Sequence, residues 1–167
     1  VYNPKKPALL PGIPTKLVLE EDLTIGEKEK GSDYVFEAIR TIRPDDDGNI
    51  YVLDGKAAAI KVFDKNGKYI KSIGRKGEGP GEFQAPVGMH IISGKEIMVS
   101  SLGRLSFFTL SGDFLRQITQ MLWDPNPRAD SKGNIIAITM SPGEKFIEEL
   151  KKFNPNLEPL FTITRIE

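Results

Sequence analysis

The chain has 167 residues, 39% of them apolar and 8% aromatic, with 23 basic and 23 acidic side chains and no cysteine. That length supports one domain with its own core, no apolar run is long enough for a membrane-spanning helix, and balanced charge disfavours a dedicated nucleic-acid or membrane-surface binder. The lack of cysteine excludes disulfides, thiolate catalysis and Cys-ligated metal sites, and leaves the compartment open.

Taken in chain order, the sequence begins at Val1 rather than Met with no apolar leader ahead of it, and reads as a processed or trimmed product. Strands are expected at about 37–44, 49–54, 59–64 and 69–74. Asp45-Asp-Asp-Gly-Asn49 joins the first two as a turn of residues that bond their own backbone. Asn66-Gly67 joins the last two as a hairpin signal, because both residues tolerate positive φ. Gly77-Glu-Gly-Pro-Gly81 looks superficially like a phosphate loop. Pro80 removes a donor and a strand follows, so it is expected to be a linker. A second set of strands falls at about 87–92, 96–101, 104–110 and 114–119. Trp123, in the following loop with Asp124-Pro-Asn-Pro127, is read as a packing residue rather than a partner hot spot. A third set falls at about 127–130, 134–140, 148–154 and 160–165. Glu144–Lys152 also admits two turns of helix, the less favoured reading there.

These three sets are one unit repeated. Phe63, Phe108 and Phe153 are spaced by 45 and 45, and Ile73, Ile118 and Ile163 keep the same interval ten residues on. Ile50, Ile97 and Ile135 are spaced by 47 and 38, so the irregularity lies in loops, where insertions cost little. Four short strands every 45 or so residues, separated by Gly-rich turns, are the signature of a β-propeller blade. The fold class expected is all-β: three four-stranded antiparallel blades.

Asp46-Asp-Gly-Asn-Ile-Tyr-Val-Leu-Asp54, Ile60-Lys-Val-Phe-Asp-Lys-Asn-Gly-Lys-Tyr-Ile-Lys-Ser-Ile-Gly74 and Gly77-Glu-Gly-Pro-Gly-Glu-Phe83 resemble an NHL-type repeat. More narrowly, with Val1-Tyr-Asn-Pro4 and Leu19-Glu-Glu-Asp-Leu-Thr-Ile-Gly26, the chain resembles the exported six-bladed β-propeller proteins of bacteria. The likeness is closest in the first unit and departs in the third at Asn154-Pro155 and Pro159. Leu23-Thr-Ile-Gly26 through Phe36 parallels Ile70-Lys-Ser-Ile-Gly74 through Phe83 at offsets of 48 and 47. The resemblance implies that this opening strand completes the last blade and locks the ring. The expected organisation is 1–35 as extension and ring-closing strand, then blades at 36–83, 84–126 and 127–167. Three blades cannot close a ring at the gentle twist neighbouring blades require. Either further sequence completes it, the favoured reading, or two copies join through exposed apolar blade faces.

Counting back seven residues from Ile50, Ile97 and Ile135 reaches Arg43, His90 and Arg128, a basic side chain at one place on each innermost strand. Three such groups around a central channel would attract an anionic ligand. The alternative is that they face solvent or pair with Asp45 and Asp130, themselves equivalent. Asp45 and Asp130 are the weak metal candidates. Asp45-Asp-Asp-Gly-Asn49 carries calcium-type oxygens but lacks the downstream bidentate Glu, so a turn is favoured. His90 is the sole histidine and marks no triad. Lys56, Lys61, Lys65, Lys68, Lys71 and Lys76 read as edge protection rather than a nucleic-acid patch, since no stacking aromatics accompany them. The function expected is a noncatalytic, extracytoplasmic scaffold binding a protein, peptide or glycan at the channel face, without a cofactor. The alternative is a fragment of a metal-dependent propeller hydrolase or lyase, which needs acids or histidines converging from several blades.

Overall fold

The computed structural model describes residues 20–26, 31–101, 103–119, 124, 126–141 and 147–166. Within them the regular structure is β throughout, apart from one 3-10 turn at Ser32–Tyr34. Blade 1 comprises β1 (Ile39–Pro44), β2 (Ile50–Asp54), β3 (Ala59–Phe63) and β4 (Tyr69–Ile73). Blade 2 comprises β5 (Gly88–Ile92), β6 (Glu96–Ser101), β7 (Arg104–Thr109) and β8 (Phe114–Thr119). Blade 3 comprises β9 (Arg128–Ala129), β10 (Ile135–Ser141), β11 (Ile147–Phe153) and β12 (Pro159–Ile166). Each is an antiparallel meander with its strands in chain order. The two-turn helix considered for Glu144–Lys152 does not form, since β11 covers most of that segment; Trp123 and residues 142–146 lie outside the described residues.

Stacking explains which residues are apolar. Middle strands are covered on both faces, so they read as nearly continuous apolar runs: in β6, Ile97 through Ser101 are all buried. Outer strands alternate, as in β4, where Ile73 is buried and Ile70 exposed. Two layers form the core. Tyr51, Leu53, Ile60, Val62 and Ile73 of blade 1 pack on Met89, Ile97, Val99 and Phe108 of blade 2. Met98, Leu105 and Phe107 of blade 2 pack on Ile135, Ala137, Phe153 and Leu157 of blade 3. Each fully buried large side chain contributes about 1.5–3 kcal/mol, so the layers, rather than strand propensity, hold the stack.

Two of the three repeated phenylalanines, Phe63 and Phe108, occupy similar aromatic surroundings, while Phe153 pairs with Pro159. Phe108 meets the rings of Phe83 and Phe114 at 5.4 and 5.8 Å. Phe63 meets Phe36 and Tyr69 at 5.9 and 5.8 Å, with Tyr34 at 5.6 Å. Gly74 is required by the same packing: its φ is +75°, and a Cβ there would lie 2.2 Å from the Phe83 ring.

The opening segment departs from expectation. Residues 20–26 form no regular strand. The segment nevertheless lies against blade 1 much as β4 lies against blade 2. A Cβ on Gly67 would meet Leu23 at 2.9 Å and Ile25 at 3.3 Å; one on the equivalent Gly112 would meet Ile73 at 3.0 Å. Lys61 fastens the adjoining stretch by donating to the carbonyls of Ser32 and Val35 at 3.0 and 2.7 Å, and Lys71 joins blade 1 to blade 2 through Leu110 O at 3.1 Å. Two of the six lysines read as edge protection thus serve as struts. Among the described residues no helix is long and apolar enough to cross a membrane.

Candidate functional site

The innermost strands β1, β5 and β9 lie side by side, and register fixes what they carry. Arg43 pairs with Tyr51, His90 with Met98 and Arg128 with Ile136, in each case the residue after the aligned isoleucine of the second strand. The three basic groups therefore hold the same place in their blades. His90 is half-buried and its Nε2 lies 3.1 Å from the Ala129 carbonyl on the next blade. Since a carbonyl only accepts, Nε2 carries the proton and Nδ1 is a lone-pair acceptor; Nδ1 is buried with no partner among the described residues. Burial pushes His90 below the usual imidazole range. The bond to Ala129 works against this, and the positive charges of Arg128 and Arg43 add to it.

Neither arginine pairs with the neighbouring aspartate. Arg43 Nη1 donates to Ile42 O at 2.8 Å and Arg128 Nη1 to Asn126 Oδ1 at 3.1 Å. Asp45 is turned into its own turn, accepting from the Asp47 and Asn49 amides at 3.0 and 2.8 Å, from Asn49 Nδ2 at 2.9 Å and from Tyr51 Oη at 3.3 Å. Burial alone would raise its pKa, but these bonds hold it below the usual carboxylate range. Burial first, then the Asp45 charge, pushes the Tyr51 hydroxyl up to about 12. Asp130 repeats the turn with Lys132 and Asn134 and adds an ion pair to Lys152 at 2.6 Å; Lys152 is the main reason its pKa is strongly depressed. Both carboxylates are committed to turns. No group of three or more His, Cys, Asp or Glu side chains suited to a metal occurs among the described residues.

Asp54 is a structural centre that sequence reasoning passed over. Fully buried, it accepts from four backbone amides, of Glu37, Ala38, Lys56 and Ala57, at 2.7–3.2 Å, and so clamps the entry to β1 onto the β2–β3 turn. Burial raises its pKa, yet these donors outweigh it and keep the carboxylate ionised. The available signal was a lone acid ending an otherwise apolar strand.

Residues 29–125 match the model of a family described as 6-bladed beta-propeller. The chain belongs to that six-bladed β-propeller family. Solved structures share the fold of this propeller chain at low identity. One is a candidate exported protein from Bacteroides fragilis, with a TM-score of 0.69 at 16% identity over 82% of this chain and 40% of its own. A Bacteroides caccae protein of unknown function gives 0.54 at 12% over 72% and 47%. A functionally unknown protein from Desulfotomaculum acetoxidans gives 0.52 at 12% over 79% and 43%. The propeller chain therefore spans less than half the length of these structures. No protein with a curated description matches it.

Proposed function

We propose that this propeller acts as a noncatalytic binding scaffold outside the cytoplasm, holding an anionic segment of a protein, peptide or glycan at its channel face. One observation carries the reading: Arg43, His90 and Arg128 share one register position on three adjacent innermost strands, and none of them pairs with a described carboxylate. Arg43 and Arg128 on low-dielectric walls concentrate anions, and the neutral His90 on the strand between them is fastened to Ala129 O. The exported character of the Bacteroides fragilis relative supports the location.

In the whole protein, residues 20–26 serve as the outer strand of a blade whose inner strands come from elsewhere in the polypeptide. The support is the Leu23 and Ile25 packing on Gly67 and a groove of about 370 Å³ between that segment and Ile39, Ile42, Ile50 and Val52. Titration of the chain with a hexaglutamate peptide, with hexalysine as control, tests the channel reading by calorimetry. Saturable binding of hexaglutamate alone, weakened roughly tenfold in Arg43→Ala and in Arg128→Ala, is expected. Equal binding by the two peptides, or indifference to both substitutions, would overturn it.

A further inference from the structure

Away from the channel, an open groove of about 260 Å³ runs between blades 2 and 3 along the rim that carries the β5–β6, β9–β10 and β11–β12 turns. Three cations line it, Lys95, Arg116 and Lys132, against one acid, Glu96. Arg116 is held in place twice. Its Nη1 lies 3.0 Å from Glu96 Oε2, and its guanidinium carbon lies 3.9 Å from the Phe107 ring centroid. Lys95 and Lys132 are exposed and form no ion pair with a described residue. Ile92 and Pro155 add apolar wall.

The same place between blades 1 and 2 is built differently. There Asp46 stands where Ser93 stands in the next blade, and it presses on the following turn: a Cβ at Gly94 would lie 2.5 Å from Asp46 Oδ2. Lys71, equivalent to Arg116, reaches across to Leu110 O at 3.1 Å. That position is acidic and bridged. Between blades 2 and 3 the short Ser93 side chain bonds Ser131 O at 2.5 Å and the long cation folds back onto Phe107, which leaves the cleft open and basic.

We propose that this groove binds one uronic-acid unit of an acidic glycan, a second site independent of the channel row. The carboxylate lies among Lys95, Lys132 and Arg116, and the C–H face of the ring packs on Pro155. The volume falls just below the roughly 300–1,000 Å³ of drug-sized pockets, which suits a single ring. Pre-fixing Arg116 spares the ordering cost of that side chain on binding.

The test is an NMR titration of the isotopically labelled chain with D-glucuronate, with D-glucose as the uncharged counterpart at matched ionic strength. Saturable shifts at residues 92–96 and 131–133 with glucuronate alone are expected. The double variant Lys95→Ala/Lys132→Ala should weaken binding at those residues roughly tenfold with an unchanged Tm. Equal response to glucose, absence of saturation at those residues, or indifference to the double variant would each overturn the proposal.

Discussion

At the residue scale, the chemistry of His90 follows from one acceptor. Ala129 O takes the Nε2 proton, so protonation would put a second N–H on the buried Nδ1, with no described acceptor and with Arg128 and Arg43 nearby. The folded pKa therefore lies below the ordinary 6.5. As pH falls the unfolded chain takes up its proton first, and stability is lost progressively from about 6.5 downward. His90→Gln should accordingly flatten the fall of Tm between pH 7 and 5.5, followed by circular dichroism in buffers of equal ionic strength. An unchanged slope would assign the titration to another group. Asp45 and Asp130 have the same sign in a lower window: their depressed values stabilise the fold above the ordinary carboxylate range and cease to do so in acid. The sequence placed Arg43, His90 and Arg128 in register, yet not what their atoms bond. The carboxylates proposed as partners for Arg43 and Arg128 curl into local Asx-type turns because amide donors two and four residues on are nearer than any guanidinium.

At the element scale, the three turns joining third and fourth strands are one device in three dialects. Asp64 Oδ1 accepts from the amides of Asn66 and Lys68, Thr109 Oγ1 from that of Asp113, and Asn154 Oδ1 from those of Asn156 and Glu158. The fourth position is left-handed each time: Gly67 at +77°, Gly112 at +96° and Leu157 at +62°. The hairpin signalled by Asn66-Gly67 forms, with Gly67 alone of the pair at positive φ and a register shift in the ladder between Val62 and Phe63. Leu157 tolerates the strain because its side chain is buried in the second core layer. The linker glycine is less forgiving. Gly74→Ala combines positive φ with a clash against the buried Phe83 ring and should cost about 3 kcal/mol, read from urea unfolding. A loss under 1 kcal/mol would mean the Phe83 contact can relax.

At the scale of the whole molecule, the burial of outer strands reports what covers them. Ile73 of β4 is 2% exposed beneath blade 2, whereas Ile163 of β12, in a bulge beside Thr164, is 47% exposed. At the other end Ile42 is 51% exposed. A stack of blades with two uncovered apolar faces associates. Light scattering on the 167-residue chain should therefore show concentration-dependent association, reduced by Ile42→Lys with Ile163→Lys. A longer polypeptide that supplies the missing blades should be monomeric. A chain that stays monomeric at high concentration, or a full-length protein that still associates through these faces, would contradict the closure reading.

The sequence by itself determined the blade. Strand periodicity, the 45-residue spacing of Phe63, Phe108 and Phe153, and the turn residues are local properties repeated three times, so they are legible without coordinates. Strand ends such as Ile50–Asp54 and Phe114–Thr119 follow from them within a residue. What came from the tertiary structure are contacts within and between blades: Nε2 of His90 on Ala129 O, Arg116 folded over Phe107, the Asp54 clamp, and residues 20–26 packed on blade 1 without forming a strand. These depend on which side chain meets which neighbour once the strands are paired and stacked. That is set by small differences in side-chain length and in the nearest free hydrogen-bonding group, which no single repeat encodes.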